Sequence, residues 1–447
     1  MSDNTPEEVL RLIIANVRTY VGRYTIPISP LTIVTGENSA GKTTLLGALA
    51  TVSDSGRFPG YPPFRRPPYQ FGGFRSVASH PTPRAAKLEN FTLGFTYKGD
   101  SLDSTIISAE AMYSGNRNDN VELSSLLIKS GDKRLHVKVD KTSVRGYEGN
   151  VSLTTPAFKE STRFNLNRRI PETAGLSIID ILVSSLFNKS PKDPKLRNEF
   201  LHLLMGLTDV RAPLIASSIA PIRTRPERVY GSAEDITGPD GAHIPFVLNR
   251  LFTEAESATD RELVEQAVQR FGTNSGLFDG VTIRRLGQEA GDPFQIMVRM
   301  SKRWVNLVDV GYGVSQVLPV IVESILTAPN SAVLLQQPEV HLHPRAQAAL
   351  GTFFAELAAG GTRTIVIETH SDYIIDRIRQ EVAKGTIRSS RASILYLTAK
   401  LQKTTVHQLS IDEMGNIIGA PKGYRDFFMR EEIKLITRGE RRDVRDN

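Results

Sequence analysis

The chain has 447 residues, too many for one compact core, so we expect two or three lobes. It contains no cysteine, which excludes disulfides, thiolate metal sites and a cysteine nucleophile and agrees with a reducing cytoplasm. Residues 1–8 are polar, unlike a signal peptide, and no apolar run reaches the ~18–20 residues that span a bilayer. We therefore expect a cytoplasmic protein with no membrane partner. Its net charge of +7 permits contact with nucleic acid without demonstrating it.

The first motif along the chain is a phosphate loop between an apolar strand and a helix. Residues 36–43 read Gly-Glu-Asn-Ser-Ala-Gly-Lys-Thr, the complete G-x-x-x-x-G-K-[ST] pattern. Residues 31–35 predict the strand and residues 44–50 the helix. Lys42 can reach the β- and γ-phosphates of ATP, and Thr43 can offer its hydroxyl to Mg²⁺. The sequence therefore predicts an ATP site formed by Asn38, Ser39, Ala40, Gly41, Lys42, Thr43 and Thr44.

Beyond the phosphate loop, the pattern changes to loops, short strands and helices. Residues 55–86 are rich in Pro, Gly and Arg and predict a loop. Short alternating apolar segments between residues 88 and 155 predict an antiparallel meander. The apolar spacing in residues 174–208 and 243–272 predicts helices.

A second nucleotide-handling segment lies far downstream, where residues 281–400 alternate between strands and helices and predict a parallel sheet. The apolar run at 331–335 leads into Gln-Gln-Pro-Glu at 336–339, and the next strand, 364–368, leads into Thr-His-Ser. Ligands of such sheets gather at the carboxyl ends of the strands. A lone His after a strand is usually structural, but the position of His370 two elements after the Gln-Gln-Pro-Glu segment favours a role in sensing the γ-phosphate.

These patterns predict an α/β fold whose parallel core sheet is completed late in the chain. No heptad pattern is present, so we expect no long coiled-coil arm. We divide the chain into four parts. Residues 10–160 form an N-terminal ATPase lobe with the phosphate loop and meander, and residues 161–280 a helical insertion or lid. Residues 281–400 form a C-terminal ATPase lobe, and residues 401–447 a C-terminal extension.

Together the motifs resemble the ABC-type ATPases of the OLD/RecF/SMC branch. The resemblance is to the compact prokaryotic AAA-family ATPases of antiphage defence, of the PARIS, Septu or retron-associated type. It covers most of the chain and rests on residues 36–43, 218–228, 237–241, 308–319, 338–344 and 368–372. It implies an ABC-type P-loop ATPase head with a mixed β-sheet beside the parallel core, ATP and Mg²⁺ as cofactors, and an ATP-dependent homodimer or higher homo-oligomer.

The resemblance also implies roles for single residues. Gly313, Ser315 and Gln316 correspond to the ABC signature segment, whose family role is to contact the γ-phosphate of a nucleotide bound by the opposite subunit. On the residues alone, a small-residue turn that opens a helix suits an anion, but a plain helix cap at Ser315 is the favoured interpretation of this segment by itself. Gln70 corresponds to the loop Gln that senses Mg²⁺, so the implied metal-binding residues are Thr43 and Gln70.

The end of the strand at residues 331–335 departs from the family pattern, which has an acid at 336 and an acid or Gln at 337. An amide lacks the negative charge of a good Mg²⁺ ligand or general base. Gln336 could be an engineered Glu-to-Gln exchange, the chain could be a naturally slow hydrolase that uses ATP as a switch, or Glu339 could supply the carboxylate. We favour the first two, because a shift of two or three residues moves a carboxylate several Å.

The candidate catalytic residues are therefore Gln336, Gln337, Glu339 and His370, and we expect tight ATP binding with weak turnover. His341 and His343 could suggest zinc, but with no Cys and no nearby acidic cluster a structural role in the loop is the better interpretation.

Three arginines, Arg223, Arg225 and Arg228, form a dense basic group that could meet nucleic acid, a partner or the nucleotide, and nothing local decides between these. Residues 423–433 mix aromatics with charges and could pack on the ATPase lobe or dock a partner.

Two functions from different classes remain. The first is an ATP-switched sensor and scaffold of a prokaryotic antiphage defence complex, controlling a separate effector such as a nuclease. The second is a DNA-repair ATPase that binds DNA directly. After residue 371 the chain carries no acidic set of the kind a nuclease needs, and it has no continuous basic stripe. Both observations favour the first function.

Overall fold

A computed structural model of the chain describes residues 6–54, 56–60, 64, 67–79, 89–99, 105–143, 146–156, 159–166, 212–231, 238–253, 258–289 and 291–424. The helix predicted at residues 174–208 and most of the segment 423–433 lie outside these ranges. Within them, seven α-helices accompany eighteen strands in three sheets.

In chain order the strands are β1 (Leu10–Val17), β2 (Tyr20–Ile28), β3 (Leu31–Gly36), β4 (Asn90–Lys98), β5 (Ile106–Gly115), β6 (Val121–Ser130), β7 (Lys133–Ser143), β8 (Gly146–Thr154), β9 (Lys159–Leu166), β10 (Ile215–Ile219), β11 (Gly280–Arg285), β12 (Phe294–Met300), β13 (Arg303–Asn306), β14 (Ser331–Gln336), β15 (Arg363–Glu368), β16 (Ala392–Lys400), β17 (Lys403–Ile411) and β18 (Ile417–Ile418). The helices are α1 (Lys42–Ser53), α2 (Phe74–Val77), α3 (Ile244–Thr253), α4 (Ala258–Ser275), α5 (Tyr312–Leu326), α6 (Pro344–Ala359) and α7 (Asp372–Ala383).

The first sheet is antiparallel and contains the predicted meander. Its strand order is β2-β1-β4-β5-β6-β7-β8-β9, so that β4 to β9 follow one another in chain order. Every neighbouring pair in this sheet is antiparallel. The meander prediction is confirmed, and the structure extends it by one strand, β9.

The second sheet carries the phosphate loop. Its order is β10-β14-β15-β3-β16-β17-β18, parallel from β10 to β16 and antiparallel at the last two pairings. Side chains of β14 alternate between two hydrophobic clusters: Leu334 packs towards α1 and the first sheet, and Leu335 packs towards α5 and α6. Because both faces are covered, the central strands are continuously apolar, which is why their sequences are recognisable as buried parallel strands.

The expectation of a parallel sheet throughout residues 281–400 needs correction, and two further observations bear on the predicted domain limits. β10 lies inside the segment 161–280 that we predicted to be a helical insertion, yet it is an edge strand of the core sheet. Between residues 280 and 306, β11, β12 and β13 form a separate antiparallel sheet, because the connections at residues 286–293 and 301–302 are too short for a parallel crossover. The predicted boundary between residues 400 and 401 divides the β16–β17 hairpin.

The predicted loop at residues 55–86 also contains a short helix, α2. The helix predicted at 243–272 is present as α3 and α4, which flank residues outside the described ranges. The division into four domains stays a prediction.

Gly36, at the end of β3, provides a test of how closely the core sheet packs around the phosphate loop. A Cβ added there would clash with the Leu397 carbonyl oxygen of β16, whereas one added at Gly22, which also has positive φ, would meet no atom within 4 Å. We expect Gly22→Ala to cost about 1 kcal/mol of unfolding free energy and Gly36→Ala about 3 kcal/mol or more. Urea unfolding of both variants measures the difference, and equal losses would contradict the close approach of β3 to β16.

Candidate nucleotide site

The phosphate loop connects β3 to α1 at the carboxyl edge of the core sheet. The backbone turns through positive φ at Gly36 (134°), Ser39 (60°) and Gly41 (96°). Helix α1 begins at Lys42 after Gly41, and among the described residues no side chain caps its first N–H groups. The uncapped helix start therefore offers N–H donors and a positive dipole end to an anion.

The loop is held from behind by three strands. The Tyr20 hydroxyl of β2 donates to the Gly41 carbonyl oxygen at 3.0 Å, and the Thr404 hydroxyl of β17 donates to the Ala40 carbonyl oxygen at 2.8 Å. The Glu37 carboxylate accepts the Ala399 N–H of β16 at 2.9 Å. These bonds fix the loop conformation without a ligand, so that binding costs little ordering.

Lys42 lies over the turn that it follows. Its Nζ donates to the carbonyl oxygens of Gly36 at 3.1 Å and Glu37 at 2.7 Å, and the residue is buried. Burial lowers the pKa of Lys42, while the carboxylates of Glu368 and Glu37 oppose that shift. The ammonium group is thus held at the loop by weak carbonyl acceptors that a phosphate could replace.

Thr43 makes the contact that joins the loop to the other strand ends. Its hydroxyl lies 2.9 and 3.1 Å from the two carboxylate oxygens of Glu368, the last residue of β15. In the register of the parallel pair β14–β15, Glu368 lies directly opposite Gln336. The Gln336 amide nitrogen donates to the same carboxylate at 3.4 Å, and its amide oxygen is buried without a partner among the described residues.

Glu368 is the carboxylate that contacts the phosphate loop at this edge of the sheet. It is only 4% exposed. Burial raises its pKa, and the hydrogen bonds from Thr43 and Gln336 and the charge of Lys42 act in the opposite direction. Sequence reasoning assigned no role to Glu368. Its position at the end of a predicted parallel strand, one residue before the Thr-His-Ser segment, was the signal that could have revealed it.

The remaining predicted catalytic residues lie at the same edge. The Glu339 carboxylate accepts the His370 backbone N–H at 2.9 Å, and its second oxygen is buried without a partner among the described residues. Burial raises the pKa of Glu339. The pKa of His370 is lowered, mainly by burial and to a smaller extent by the charge of Lys42. Gln337 is attached through its backbone, since its N–H donates to the Glu368 carbonyl oxygen at 2.7 Å.

The predicted signature segment forms the start of α5. Gly311 is the residue before the helix, and Ser315 lies within its first turns, where its hydroxyl donates to the Tyr312 carbonyl oxygen at 2.8 Å. The alternative that Ser315 is a plain helix cap is therefore wrong. Ser315 and Gln316 are 6% and 1% exposed, so their side chains face the interior of this chain. The accessible part of the segment is its beginning, at Gly311 and Tyr312, while Gly313 is half-buried against the His341 carbonyl oxygen.

The dense basic group divides into three different environments. Arg223 is buried and donates to the Gln316 carbonyl oxygen at 3.1 Å and to the carbonyl oxygens of Gln336 and Gln337 at 3.5 and 3.3 Å. Burial lowers its pKa to about 10, and Glu339 opposes this. Arg228 pairs with Asp309, and Arg225 is exposed. Arg223 thus links α5 to the end of β14 and does not form part of a surface patch.

Two other candidates have different outcomes. Gln70 is exposed, between Tyr69 and Phe71, which pack against Gly47 of α1. Among the described residues no hydrogen bond joins its side chain to Thr43, so its metal role stays a prediction. His343 caps α6 by accepting the Arg345 N–H at 3.4 Å, and the His341 ring lies 5.0 Å from that of Tyr312. These contacts are the structural roles predicted for the two histidines.

A phosphate loop on a parallel sheet, with polar side chains at the ends of the neighbouring strands, defines a nucleotide-binding protein of the P-loop class. Residues 73–376 match the family described as "AAA domain, putative AbiEii toxin, Type IV TA system", and the chain belongs to this family. The protein is an AAA-type ATPase, a class that binds ATP, usually with Mg²⁺. The match begins after the phosphate loop.

Several solved head domains of SMC proteins are similar in fold. An SMC head bound to the C-winged helix domain of ScpA is 10% identical, with 90% of this chain and 98% of that chain covered and a TM-score of 0.47. The head from Pyrococcus furiosus is 12% identical, with 90% of this chain and 96% of that chain covered and a TM-score of 0.41. The head from Thermotoga maritima is 10% identical, with 89% of this chain and 97% of that chain covered and a TM-score of 0.39. No curated protein matches the sequence. In the part of the chain that the structure describes, no helix combines the length and apolarity needed to cross a bilayer.

Arg223 provides a test of the link between α5 and β14. Replacing it with Met leaves three backbone carbonyl groups without their buried donor, and we expect Arg223→Met to lower the unfolding free energy by about 3 kcal/mol. Arg225→Met, two residues away and exposed, should change it by about 0.5 kcal/mol or less. Chemical denaturation of the two variants checks this, and similar values for both would contradict an internal role for Arg223.

Proposed function

We propose that this chain binds ATP with Mg²⁺ at the phosphate loop and uses the nucleotide mainly as a switch. The observation that carries the proposal is a loop already folded for an anion, with Lys42 and Thr43 in place and Glu368 against Thr43. The loop N–H groups and Lys42 would hold the phosphates, and Thr43 would meet the metal. When bound, the metal ion would neutralise phosphate charge and orient the triphosphate.

Slow turnover follows from the groups at the end of β14. Gln336 and Gln337 are neutral amides, which cannot accept a proton from water as a general base does. Two acids lie nearby, but one oxygen of Glu339 already accepts the His370 N–H, and the Glu368 carboxylate already accepts from Thr43 and Gln336. We therefore propose that the bound state is long-lived, with Glu339 and His370 as the groups that face the γ-phosphate side.

The start of α5 supports a working unit of two or more copies. Gly311 and Tyr312 are exposed, and among the described residues no hydrogen bond joins the first turn of α5 to the phosphate loop. No side chain in the described part of the chain caps the start of this helix, as an anion site requires. We propose that this turn contacts the nucleotide of a second copy, through its backbone and not through the buried Ser315 and Gln316 side chains.

At the level of the cell, we propose a sensor and scaffold of a prokaryotic antiphage defence complex that controls a separate effector, with a nuclease as the leading class. The description of the family, which names a toxin and a toxin–antitoxin system, supports this proposal. The alternative, a DNA-repair ATPase that binds DNA directly, is less well supported, because Arg223 is buried and Arg228 is paired with Asp309. Salt-sensitive DNA binding by the isolated protein, steepened by ATP, would favour that alternative.

Lys42 tests the nucleotide proposal. We expect the chain to bind ATP, with turnover well below the ~10 s⁻¹ typical of enzymes. Lys42→Met removes the charge that faces the phosphates and should weaken binding about 100-fold or more. Fluorescent-ATP titration and phosphate release measure the two quantities, with the exposed Lys400→Met as the control. Rapid steady-state hydrolysis, or unchanged affinity in Lys42→Met, would contradict the proposal.

Gly311 tests association through the start of α5. A side chain there enters open space at an ordinary φ of −56°, so substitution should not harm the fold. Gly311→Asp places a carboxylate where the phosphate of a second copy would approach, and we expect it to abolish ATP-dependent association. Gly311→Asn has nearly the same shape without the charge and should retain it. Light scattering with and without ATP measures the difference, and association in both variants would rule out this contact.

A further inference from the structure

We infer that Glu368 is the acidic residue of the Mg²⁺ site, so that the charge expected at the end of β14 is supplied from the end of β15. The inference rests on the proposed binding of ATP with Mg²⁺, and it deepens that proposal by naming the group that makes the metal site acidic. It also gives a physical meaning to the amide at position 336.

The geometry places Glu368 between the phosphate loop and Gln336. In the core sheet, β15 lies between β3 and β14, and Glu368 pairs with Val34 on one side and with Gln336 on the other. The carboxylate is therefore one strand closer to the loop than any side chain at position 336. Both of its oxygens lie within 3.1 Å of the Thr43 hydroxyl.

The contact with Thr43 is compatible with a metal ion. A hydroxyl coordinates a cation through an oxygen lone pair and keeps its proton, which it can still donate to a carboxylate. Glu368 can therefore orient Thr43 and accept a hydrogen bond from metal-bound water. Such outer contacts hold the ligands of protein metal sites and contribute to metal affinity.

The charge balance of the site indicates a cation. Glu368 is 4% exposed, and within the described ranges no Lys or Arg forms an ion pair with it. The Lys42 ammonium donates to loop carbonyls instead. The charge of Lys42 acts on Glu368 only from a distance, and a buried carboxylate without a directly paired cation is costly. That cost is offset when a cation binds beside it.

Gln336 completes the site as a neutral partner. Its amide nitrogen donates to Glu368, and its buried amide oxygen has no partner among the described residues and is free to accept from a metal-bound water. A Glu at position 336 would place two buried carboxylates against each other. With Gln336 in place, the two side chains carry one negative charge and share one hydrogen bond. The ends of β14 and β15 therefore still provide one acid, although position 336 does not.

The test measures ATP affinity in Mg²⁺ and in EDTA for the wild type, Glu368→Gln and the exchanged double variant Gln336→Glu/Glu368→Gln. We expect Mg²⁺ to tighten ATP binding by the wild type about 10-fold or more, and Glu368→Gln to lose this gain while its affinity in EDTA stays within about twofold. The double variant, which returns the acid to β14, should recover most of the gain. Thermal melting confirms that the variants are folded.

The outcomes distinguish an acidic metal-site role for Glu368 from a role in positioning Thr43 and from failure of the proposed function. If the wild type binds no ATP in either condition, the proposed function itself fails. If Glu368→Gln keeps the full Mg²⁺ gain, or loses affinity equally in Mg²⁺ and EDTA, Glu368 only positions Thr43 and the inference is overturned.

The single variant Gln336→Glu provides an independent measurement. Two adjacent carboxylates should lower the melting temperature of the nucleotide-free protein and increase the stabilisation by ATP with Mg²⁺ above that of the wild type. An unchanged response to ATP with Mg²⁺ would also overturn the inference.

Discussion

The hydrogen bonds between Thr43 and Glu368 connect the phosphate loop to the strand ends of the core sheet. They exist because β3 and β15 are adjacent and parallel, so that their carboxyl ends meet at one edge although the two residues are 325 positions apart in the chain. The same edge receives Gln336 from β14, and Glu339 and His370 from the segments that follow β14 and β15. The site is thus a consequence of strand order, and each polar group in it depends on that order.

Burial of charge is the second constraint. Lys42, Glu368 and Arg223 are all 5% exposed or less, and within the described ranges Lys42 and Arg223 donate to backbone carbonyl oxygens. Such an arrangement does not stabilise the fold, because desolvated charges destabilise a protein unless they are paired. It suits a site that binds a triphosphate and a metal ion, since fixed charges in a dry environment act strongly on a charged ligand. Arg223 also links α5 to the end of β14, so the predicted signature segment is fixed to one of the strand ends at the site.

Local sequence signals predicted the parts of the fold that are encoded locally. The phosphate loop, the apolar strands β3, β14 and β15 and the alternating meander strands each carry their pattern within a few residues. β10 was missed because its five residues, Ile-Ala-Ser-Ser-Ile, are weakly apolar at the sheet edge. The contact of Glu368 with Gln336 was missed because it depends on strand register. The contacts of Arg223 were missed because they join residues about 100 positions apart. No single-sequence pattern records either feature.

The position of the metal ion relative to Thr43 and Glu368 tests this account most directly. Crystals grown with Mn²⁺ and a non-hydrolysable ATP analogue would locate the ion by its anomalous scattering. The account predicts an ion in contact with the Thr43 hydroxyl oxygen and the phosphates, with the Glu368 carboxylate hydrogen-bonded to a water of its coordination shell. An ion coordinated from Glu339 or elsewhere, with Glu368 in contact neither with the ion nor with any water bound to it, would contradict it.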